Sequence, residues 1–216
     1  MKPYFETRNG CLYLGDSREM INNISTNTSA LITDPVWPNN KIKEFEHINP
    51  YDTLSDVLKN TNSCRIILHL GCDSDPRILM SVPKKYKFIR VCWLRYAFPH
   101  PKGRILYSGD VAYAFGDPPK SRRGARILPG EICRTDSRGR LTSFMCERPV
   151  VFVMWLVQYY GDNFVIDPFI GSGTTAVACE RQGIRWIGVE IDEKTCEMAA
   201  MRIEEETRQL KLFKNL

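Results

Sequence analysis

The stretch of sequence that decides the fold is Phe164-Val165-Ile166-Asp167-Pro168-Phe169-Ile170-Gly171-Ser172-Gly173-Thr174-Thr175. It begins as a short apolar strand, continues as a tight turn with two glycines, and leads into a helix that we predict from Thr175. Glycines let the backbone approach a ligand closely. The first turn of the helix adds unpaired N–H groups and partial positive charge. The stretch therefore predicts a ligand site at a strand-to-helix turn.

A second apolar strand follows this turn and ends in a carboxylate. Trp186-Ile187-Gly188-Val189-Glu190 lies about twenty residues beyond the start of the turn, where an acid is the usual partner of two ribose hydroxyls. The turn lacks the third glycine of a dinucleotide fingerprint and the Gly-Lys-Ser/Thr of a P-loop. The unit thus indicates an adenosine-like ligand and argues against binding of a nucleoside triphosphate.

Short apolar runs alternate with helix-like stretches along the rest of the chain, which is typical of a parallel α/β sheet. The predicted strands are Gly10–Leu14, Ala30–Thr33, Arg65–Leu70, Phe88–Leu94, Val111–Phe115, Phe164–Ile166 and Trp186–Val189. The predicted helices are Ser17–Asn22, Pro50–Asn60, Pro76–Ser81, Val150–Tyr160, Thr175–Gln182 and Glu193–Lys211. The fourth and fifth strands are joined by a segment too short for a crossover helix, so we predict that they are antiparallel. We expect residues 1–216 to form a single domain.

Residues 116–147 have little hydrophobic periodicity and contain the stretch that accounts for the net positive charge of the chain. The net charge is +5, and the stretch 118–140 alone has seven basic residues against two acidic ones. These basic residues are Lys120, Arg122, Arg123, Arg126, Arg134, Arg138 and Arg140. Clustered arginine and lysine indicate contact with a phosphate backbone, the alternative being a solvated loop. We interpret 116–147 as a basic, irregular insertion that binds nucleic acid and recognises the target.

Other features exclude several classes of protein. No run of 18 apolar residues occurs, so we expect no membrane span. The first residues, Met1–Glu6, lack the apolar core of a signal peptide, which favours a cytoplasmic protein. The eight cysteines contain no C-x-x-C pair and there are three histidines, so we expect reduced thiols and no bound metal.

The letters DPFIGSGTT, at Asp167–Thr175, resemble the cofactor motif of the β-group amino-methyltransferases of DNA, which modify adenine N6 or cytosine N4. The resemblance implies an α/β, class I methyltransferase (Rossmann-like) fold. Its sheet would be seven-stranded and mostly parallel, with helices on both faces, and the motif order is circularly permuted. The resemblance also implies that the chain binds S-adenosyl-L-methionine and releases S-adenosyl-L-homocysteine. The cofactor-binding residues would then be Asp16, Asp167, Phe169, Gly171, Ser172, Gly173, Thr174, Thr175, Glu190 and Arg148, the last standing where the family has lysine.

The family's catalytic motif, Asp-Pro-Pro followed by an aromatic residue, is resembled by Asp34-Pro35-Val36-Trp37, with Val36 in place of the second proline. An exocyclic amine is a poor nucleophile because its lone pair is delocalised into the ring. By the resemblance, the Asp34 carboxylate and the Pro35 carbonyl accept its two hydrogens and return the lone pair for attack. Trp37 would stack on the flipped-out base, which is worth about 1–3 kcal/mol.

The base and the nucleic acid follow from the resemblance as expectations. Methylation at cytosine C5 is excluded because no Pro-Cys occurs. Family members that act on cytosine N4 usually have serine at the position of Asp34, so adenine N6 in duplex DNA is favoured. The alternatives are cytosine N4, RNA adenosine, a degenerate non-catalytic nucleic-acid-binding homologue, and a methyltransferase of a small molecule or protein. The resemblance also allows a homodimer, and it suggests a restriction-modification or orphan enzyme of a bacterial or phage-infected cell.

Overall fold

The structure, a computed structural model, describes residues 2–24, 26, 29–39, 49–71, 73–119, 129–134 and 149–214. Some predicted binding residues lie outside these ranges: Lys120, Arg122, Arg123, Arg126, Arg138, Arg140 and Arg148. Arg134 is described in its backbone alone, as the last residue of a strand.

The described residues contain one sheet of nine strands. The strands are β1 (Phe5–Glu6), β2 (Gly10–Leu14), β3 (Ala30–Thr33), β4 (Arg65–Gly71), β5 (Phe88–Lys102), β6 (Ile105–Gly116), β7 (Glu131–Arg134), β8 (Phe164–Asp167) and β9 (Arg185–Glu190). Their order across the sheet is β1-β2-β9-β8-β3-β4-β6-β5-β7. The pairs β2–β9, β9–β8, β8–β3, β3–β4 and β5–β7 are parallel, whereas β1–β2, β4–β6 and β6–β5 are antiparallel.

Helices cover both faces of this sheet. They are α1 (Ser17–Ile24), α2 (Pro50–Asn60), α3 (Val150–Tyr160), α4 (Thr174–Gln182) and α5 (Glu193–Lys214), with a 3₁₀ helix at Pro76–Ser81. One core contains Phe152 of α3, Val177 of α4 and Ile203 of α5. The other contains Ile21 of α1 and Leu54 of α2. Helices α1 and α2 bury one apolar stripe each, whereas α3 and α4 are buried around most of their circumference.

The predicted fold class is confirmed, but the predicted number of seven strands is wrong for the described residues. Strand β1 has two residues, too few to give a periodic signal, and it pairs with β2. Strand β7 lies within 116–147, so that segment is not irregular throughout. The antiparallel pairing of β5 with β6 is confirmed. Both strands are longer than predicted, because β5 continues through Pro99 and Pro101, residues that normally end a strand.

No described helix is both long enough and apolar enough to cross a membrane.

Candidate active site

The candidate site lies at one edge of the sheet, where four parallel strands end. Strands β2, β9, β8 and β3 are neighbours in that order and run in the same direction. Asp16 follows β2, Glu190 ends β9, Asp167 ends β8 and Asp34 follows β3. The carboxyl ends of such strands are where ligands bind in open α/β sheets. The fold thus brings the four predicted acidic residues to one edge.

The glycine turn between β8 and α4 has the backbone shape that the sequence predicted. Gly171 has φ +50° and Gly173 has φ +81°, a left-handed region that disfavours residues with a side chain. Gly173 directly precedes α4, so the chain enters the helix without a side chain at the cap. The turn therefore leaves the N–H groups at the start of α4 beside a backbone that a ligand can approach closely.

Glu190 holds the turn from the neighbouring strand. One of its carboxylate oxygens accepts from the Gly171 N–H at 3.0 Å. The other accepts from the N–H groups of Ile191 and Asp192, each at 3.0 Å. Burial raises the pKa of Glu190, and the three backbone donors oppose that rise. An ionised carboxylate has about four acceptor positions, so Glu190 retains acceptor capacity for ligand hydroxyls.

Asp16 follows β2, the strand that pairs with the end of β9 at Glu190. Leu14 pairs with Glu190, and the Gly15 N–H donates to the Glu190 carbonyl at 2.9 Å. The Asp16 side chain accepts from the Arg18 N–H at 2.8 Å and also pairs with the Arg18 guanidinium. These contacts lower the pKa of Asp16, so it is ionised at neutral pH. The Ser17 hydroxyl donates to the Pro168 carbonyl and ties α1 to the turn.

Asp167 is directed into the protein. Its side chain accepts from the Thr33 hydroxyl at 2.6 Å and from the Phe169 N–H at 3.1 Å, and the Thr175 hydroxyl also bonds to it. The residue is 3% exposed, and burial raises its pKa to about 6 despite these donors. We therefore expect Asp167 to contribute to ligand binding by holding the shape of the turn. The bond to Thr33 also connects the turn with the strand that precedes Asp34.

The second motif forms a compact unit after β3. The Trp37 indole N–H donates to the Asp34 carboxylate at 3.1 Å. Asp34, Val36 and Trp37 are half-buried, whereas Pro35 is buried. The negative charge of Asp34 contributes to the raised pKa of Asp167, so the two carboxylates are near enough to interact. The indole contact fixes the carboxylate relative to the aromatic ring, a relationship that the sequence did not predict.

Arg202 of α5 is a further residue at the turn that the sequence did not predict. One guanidinium nitrogen donates to the Ser172 carbonyl at 2.9 Å, the Ser172 hydroxyl at 3.1 Å and the Thr174 hydroxyl at 3.0 Å. Arg202 thereby hydrogen-bonds to both hydroxyl side chains on the α5 side of the turn, those of Ser172 and Thr174. In the sequence, Arg202 stands out only as the neighbour of the buried Ile203 on a charged helix. Many arginines with a purely structural role have such a position, so the sequence did not single it out.

The sheet order, the glycine turn and the acid at the end of β9 together define the class I methyltransferase fold. The model of a DNA methylase family (N6/N4 type) matches residues 134–201. This segment contains the glycine turn and Glu190.

Curated methyltransferases match the chain over different lengths. The type II methyltransferase M.BamHI of Bacillus amyloliquefaciens is 25% identical over an alignment that covers 99% of this chain and 61% of M.BamHI. The type II methyltransferase M.MjaII of Methanocaldococcus jannaschii is 40% identical over 60 residues, 24% of this chain and 11% of M.MjaII. The chain thus spans less than two thirds of the length of these relatives.

Solved structures share the fold over nearly the whole chain. The PvuII DNA methyltransferase, described as cytosine-N4-specific, has a TM-score of 0.71 at 16% identity, covering 96% of this chain and 94% of its own. The complex of M1.HpyAVI with S-adenosylmethionine has a TM-score of 0.64 at 16% identity, covering 88% and 98%. These structural matches confirm that the chain has a class I methyltransferase fold. The family model and the curated relatives show that its sequence is similar to those of DNA methyltransferases, as its motifs predicted.

Proposed function

We propose that this chain is an S-adenosyl-L-methionine-dependent methyltransferase of duplex DNA that modifies an exocyclic amino group, with adenine N6 as the target. The observation that carries the proposal is the joining of the two motifs at one sheet edge through Thr33 and Asp167, 2.6 Å apart. The cofactor motif and the catalytic motif are 134 positions apart at this bond. The contact makes them neighbours in space.

The residues at the glycine turn fit S-adenosyl-L-methionine. Gly171 and Gly173 open the backbone of the turn, and Glu190 at its side retains about one acceptor position for a ribose hydroxyl. Asp16, one strand further, faces the adenine end by resemblance to the family. Phe169 and the first residues of α4 complete the cradle, and Arg148 would face the carboxylate of the cofactor. The cofactor supplies a sulfonium methyl group as the electrophile.

At the reacting end, Asp34 and the Pro35 carbonyl accept the two hydrogens of the target amine. This favours a tetrahedral nitrogen whose lone pair is aligned for in-line attack. Trp37 has two roles in the proposal: its ring face stacks on the flipped base, and its N–H orients the Asp34 carboxylate. The alignment of nitrogen and methyl group is a proximity effect, and a shift of about 1 Å costs on the order of a hundredfold in rate.

Val36 has a backbone N–H that a proline at this position would lack. Valine also restricts the backbone of the turn less than proline does. The Pro35 carbonyl is present in either case, so we infer that catalysis persists. Aspartate at position 34, rather than serine, favours adenine N6 over cytosine N4 by resemblance.

The test measures transfer of a labelled methyl group from S-adenosyl-L-methionine to genomic duplex DNA, with total RNA and bulk protein as comparison acceptors. We expect label in duplex DNA with the wild-type chain. The Asp34→Ala variant should keep its affinity for S-adenosyl-L-homocysteine and lose the transfer. If the wild type binds the cofactor product yet labels no acceptor, the chain is a non-catalytic homologue. If Asp34→Ala loses the binding of S-adenosyl-L-homocysteine together with the transfer, Asp34 belongs to the cofactor site or to the fold.

A further inference from the structure

Strands β5 and β6 continue beyond the end of the neighbouring strand as a two-stranded ribbon. Gly71, the last residue of β4, pairs with Asp110 of β6, and Asp110 in turn pairs with Leu94 of β5. Residues 105–109 and 95–102 therefore extend past β4 and are joined by the two-residue turn at Gly103. At about 3.3 Å per residue, five residues project about 16 Å. We call residues 95–109 the ribbon.

The ribbon projects from the same edge of the sheet as the candidate active site. Strand β4 is parallel to β3, so its end lies at the edge where Asp34 follows β3. The middle of the ribbon is also linked to the segment that follows Asp34-Pro35-Val36-Trp37. Tyr107 donates to the Asp73 carboxylate at 3.0 Å, and the Asn39 amide donates to the Asp73 carbonyl at 2.7 Å. Any partner that reaches Asp34 therefore passes beside the ribbon.

The surface of the ribbon combines exposed apolar side chains with positive charge. Phe98 is 65% exposed, Ile105 63% and Leu106 61%. The sequence from Arg95 to Gly109 contains two arginines and one lysine but no aspartate or glutamate. Arg95, at the base, lies 3.5 Å from Glu131 of β7, so the positive charge is concentrated towards Lys102 and Arg104 at the turn. Exposed apolar groups of this size mark interaction sites, and a stretch with basic and no acidic residues favours a polyanionic partner.

The apolar groups lie on both faces of the ribbon. Ile105 and Leu106 are consecutive strand residues, opposite Lys102 and Pro101, so their side chains point to opposite faces. A flat partner would cover one face and leave the other in water. A groove covers both faces, and the major groove of duplex DNA, about 12 Å wide, admits a two-stranded β-ribbon.

Strand β7 brings the basic insertion to the same place. It runs parallel to β5, and its last residue, Arg134, pairs with Tyr96. The chain therefore leaves the sheet beside the ribbon, at the edge of the candidate active site. Of the other basic residues of the insertion, Arg138 and Arg140 follow β7 in sequence, whereas Lys120, Arg122, Arg123 and Arg126 precede it.

We propose that the ribbon is a DNA-binding element that enters the major groove of the duplex beside the target base, with Phe98, Ile105 and Leu106 against bases and sugars and Arg104 against a phosphate. This inference rests on the proposed function because it takes DNA as the partner. Apolar side chains inserted among bases partially unstack them, so the ribbon favours the departure of the target base from the helix.

The test compares a ribbon variant, Phe98→Ser/Ile105→Ser/Leu106→Ser, with the wild type. Fluorescence anisotropy measures affinity for a labelled duplex and for one of its single strands, and calorimetry measures affinity for S-adenosyl-L-homocysteine. We expect duplex affinity to fall by about tenfold or more, the preference for duplex over single strand to be lost, and cofactor affinity to be unchanged. The matched control is Met201→Ser, an equally exposed apolar residue (65%) on α5, which packs at the far end of the sheet.

A second variant isolates the charge. Arg104→Ala should reduce the slope of log affinity against log salt concentration by about one unit, the amount that corresponds to one phosphate contact. The inference is overturned if the triple variant binds duplex with the affinity of the wild type. It is overturned equally if duplex affinity is unchanged and the substitutions only convert a dimer to a monomer. If the wild type binds duplex through the ribbon but transfers no methyl group, the proposed activity fails and the ribbon assignment stands. If the wild type binds no duplex, both fail.

Discussion

The Thr33 hydroxyl donates a 2.6 Å hydrogen bond to the Asp167 carboxylate and so joins the end of β3 to the end of β8. Both residues are almost completely buried, at 2% and 3% exposure. Thr33 precedes Asp34, and Asp167 begins the glycine turn. A change at this bond therefore moves the catalytic segment and the cofactor turn relative to each other.

Replacing Thr33 with valine removes the hydroxyl while keeping the shape of the side chain. We expect Thr33→Val to lower the free energy of unfolding by about 1.5–3 kcal/mol at pH 7, as for a hydrogen bond to a charged group. The loss should be smaller at pH 5, because Asp167 is then mostly protonated and the lost bond is between neutral groups. Urea denaturation at both pH values measures this difference. Thr33→Ser, which retains the hydroxyl, is the control, and an equal loss at both pH values would contradict the account.

Asp167 itself makes the stability of the protein depend on pH. Its pKa is raised from 3.8 in the unfolded chain to about 6 in the folded protein. Between these values the native state binds more protons than the unfolded chain, so this group's contribution to stability falls as the pH rises from about 4 to 6. In Asp167→Asn that contribution is absent.

The unfolding free energy of Asp167→Asn relative to wild type should therefore rise by on the order of 2 kcal/mol between pH 4 and pH 7. Paired urea denaturation curves without cofactor give this difference and cancel the effects of Asp16 and Glu190. A constant difference across this range would mean that Asp167 has an ordinary pKa in the folded protein.

The two roles proposed for Trp37 are separable by substitution. Trp37→Phe keeps an aromatic face but loses the N–H that donates to Asp34. We expect kcat to fall by about tenfold with little change in KM for DNA, since about 1.4 kcal/mol is lost only where Asp34 must be oriented. Trp37→Ala should also raise the KM, because the stacking surface is lost as well. If the phenylalanine and alanine variants have equal kcat and KM, the indole N–H does not orient the carboxylate.

Gly188 of β9 supports the glycine turn by having no side chain. A Cβ at this position would lie 2.1 Å from Cδ1 of Ile170, the residue before Gly171. We expect Gly188→Ala to displace Ile170 and to weaken binding of S-adenosyl-L-homocysteine by about tenfold, a cost of 1.4 kcal/mol. Ile170→Val removes Cδ1, so the double variant should recover most of the affinity in calorimetry. A double variant that binds no better than Gly188→Ala would place the defect elsewhere in β9.

The sequence predicted the parts of the fold that depend on local patterns. Strand β3 begins and ends as predicted at Ala30 and Thr33, because four consecutive buried residues give a clear apolar run. Helix α2 was also predicted with its observed bounds; Asn49 caps it and Pro50 begins it. The positions of Asp34, Asp167 and Glu190 at strand ends followed from their motifs.

Contacts between distant residues were not predictable from these patterns. The bond from Thr33 to Asp167 depends on the pairing of β3 with β8, and a threonine at a strand end has many alternative partners. The contact of Trp37 with Asp34 depends on the turn at Pro35. The length of the ribbon was missed because the predicted strand ended at Leu94 and the segment with Pro99 and Pro101 was interpreted as a connection, although beyond β4 a proline interrupts no ladder to that strand.

The central claim is that the edge formed by Asp34, Trp37 and the glycine turn methylates an exocyclic amine in DNA. The most direct test incubates unmethylated duplex DNA with the protein and S-adenosyl-L-methionine carrying a deuterated methyl group, digests the DNA to nucleosides, and identifies the labelled nucleoside by mass spectrometry. We expect deuterated N6-methyladenine with the wild type and none with Asp34→Ala. Deuterated N4-methylcytosine would overturn the choice of base alone. Label in 5-methylcytosine, or no labelled nucleoside from a protein that binds the cofactor, would contradict the claim itself.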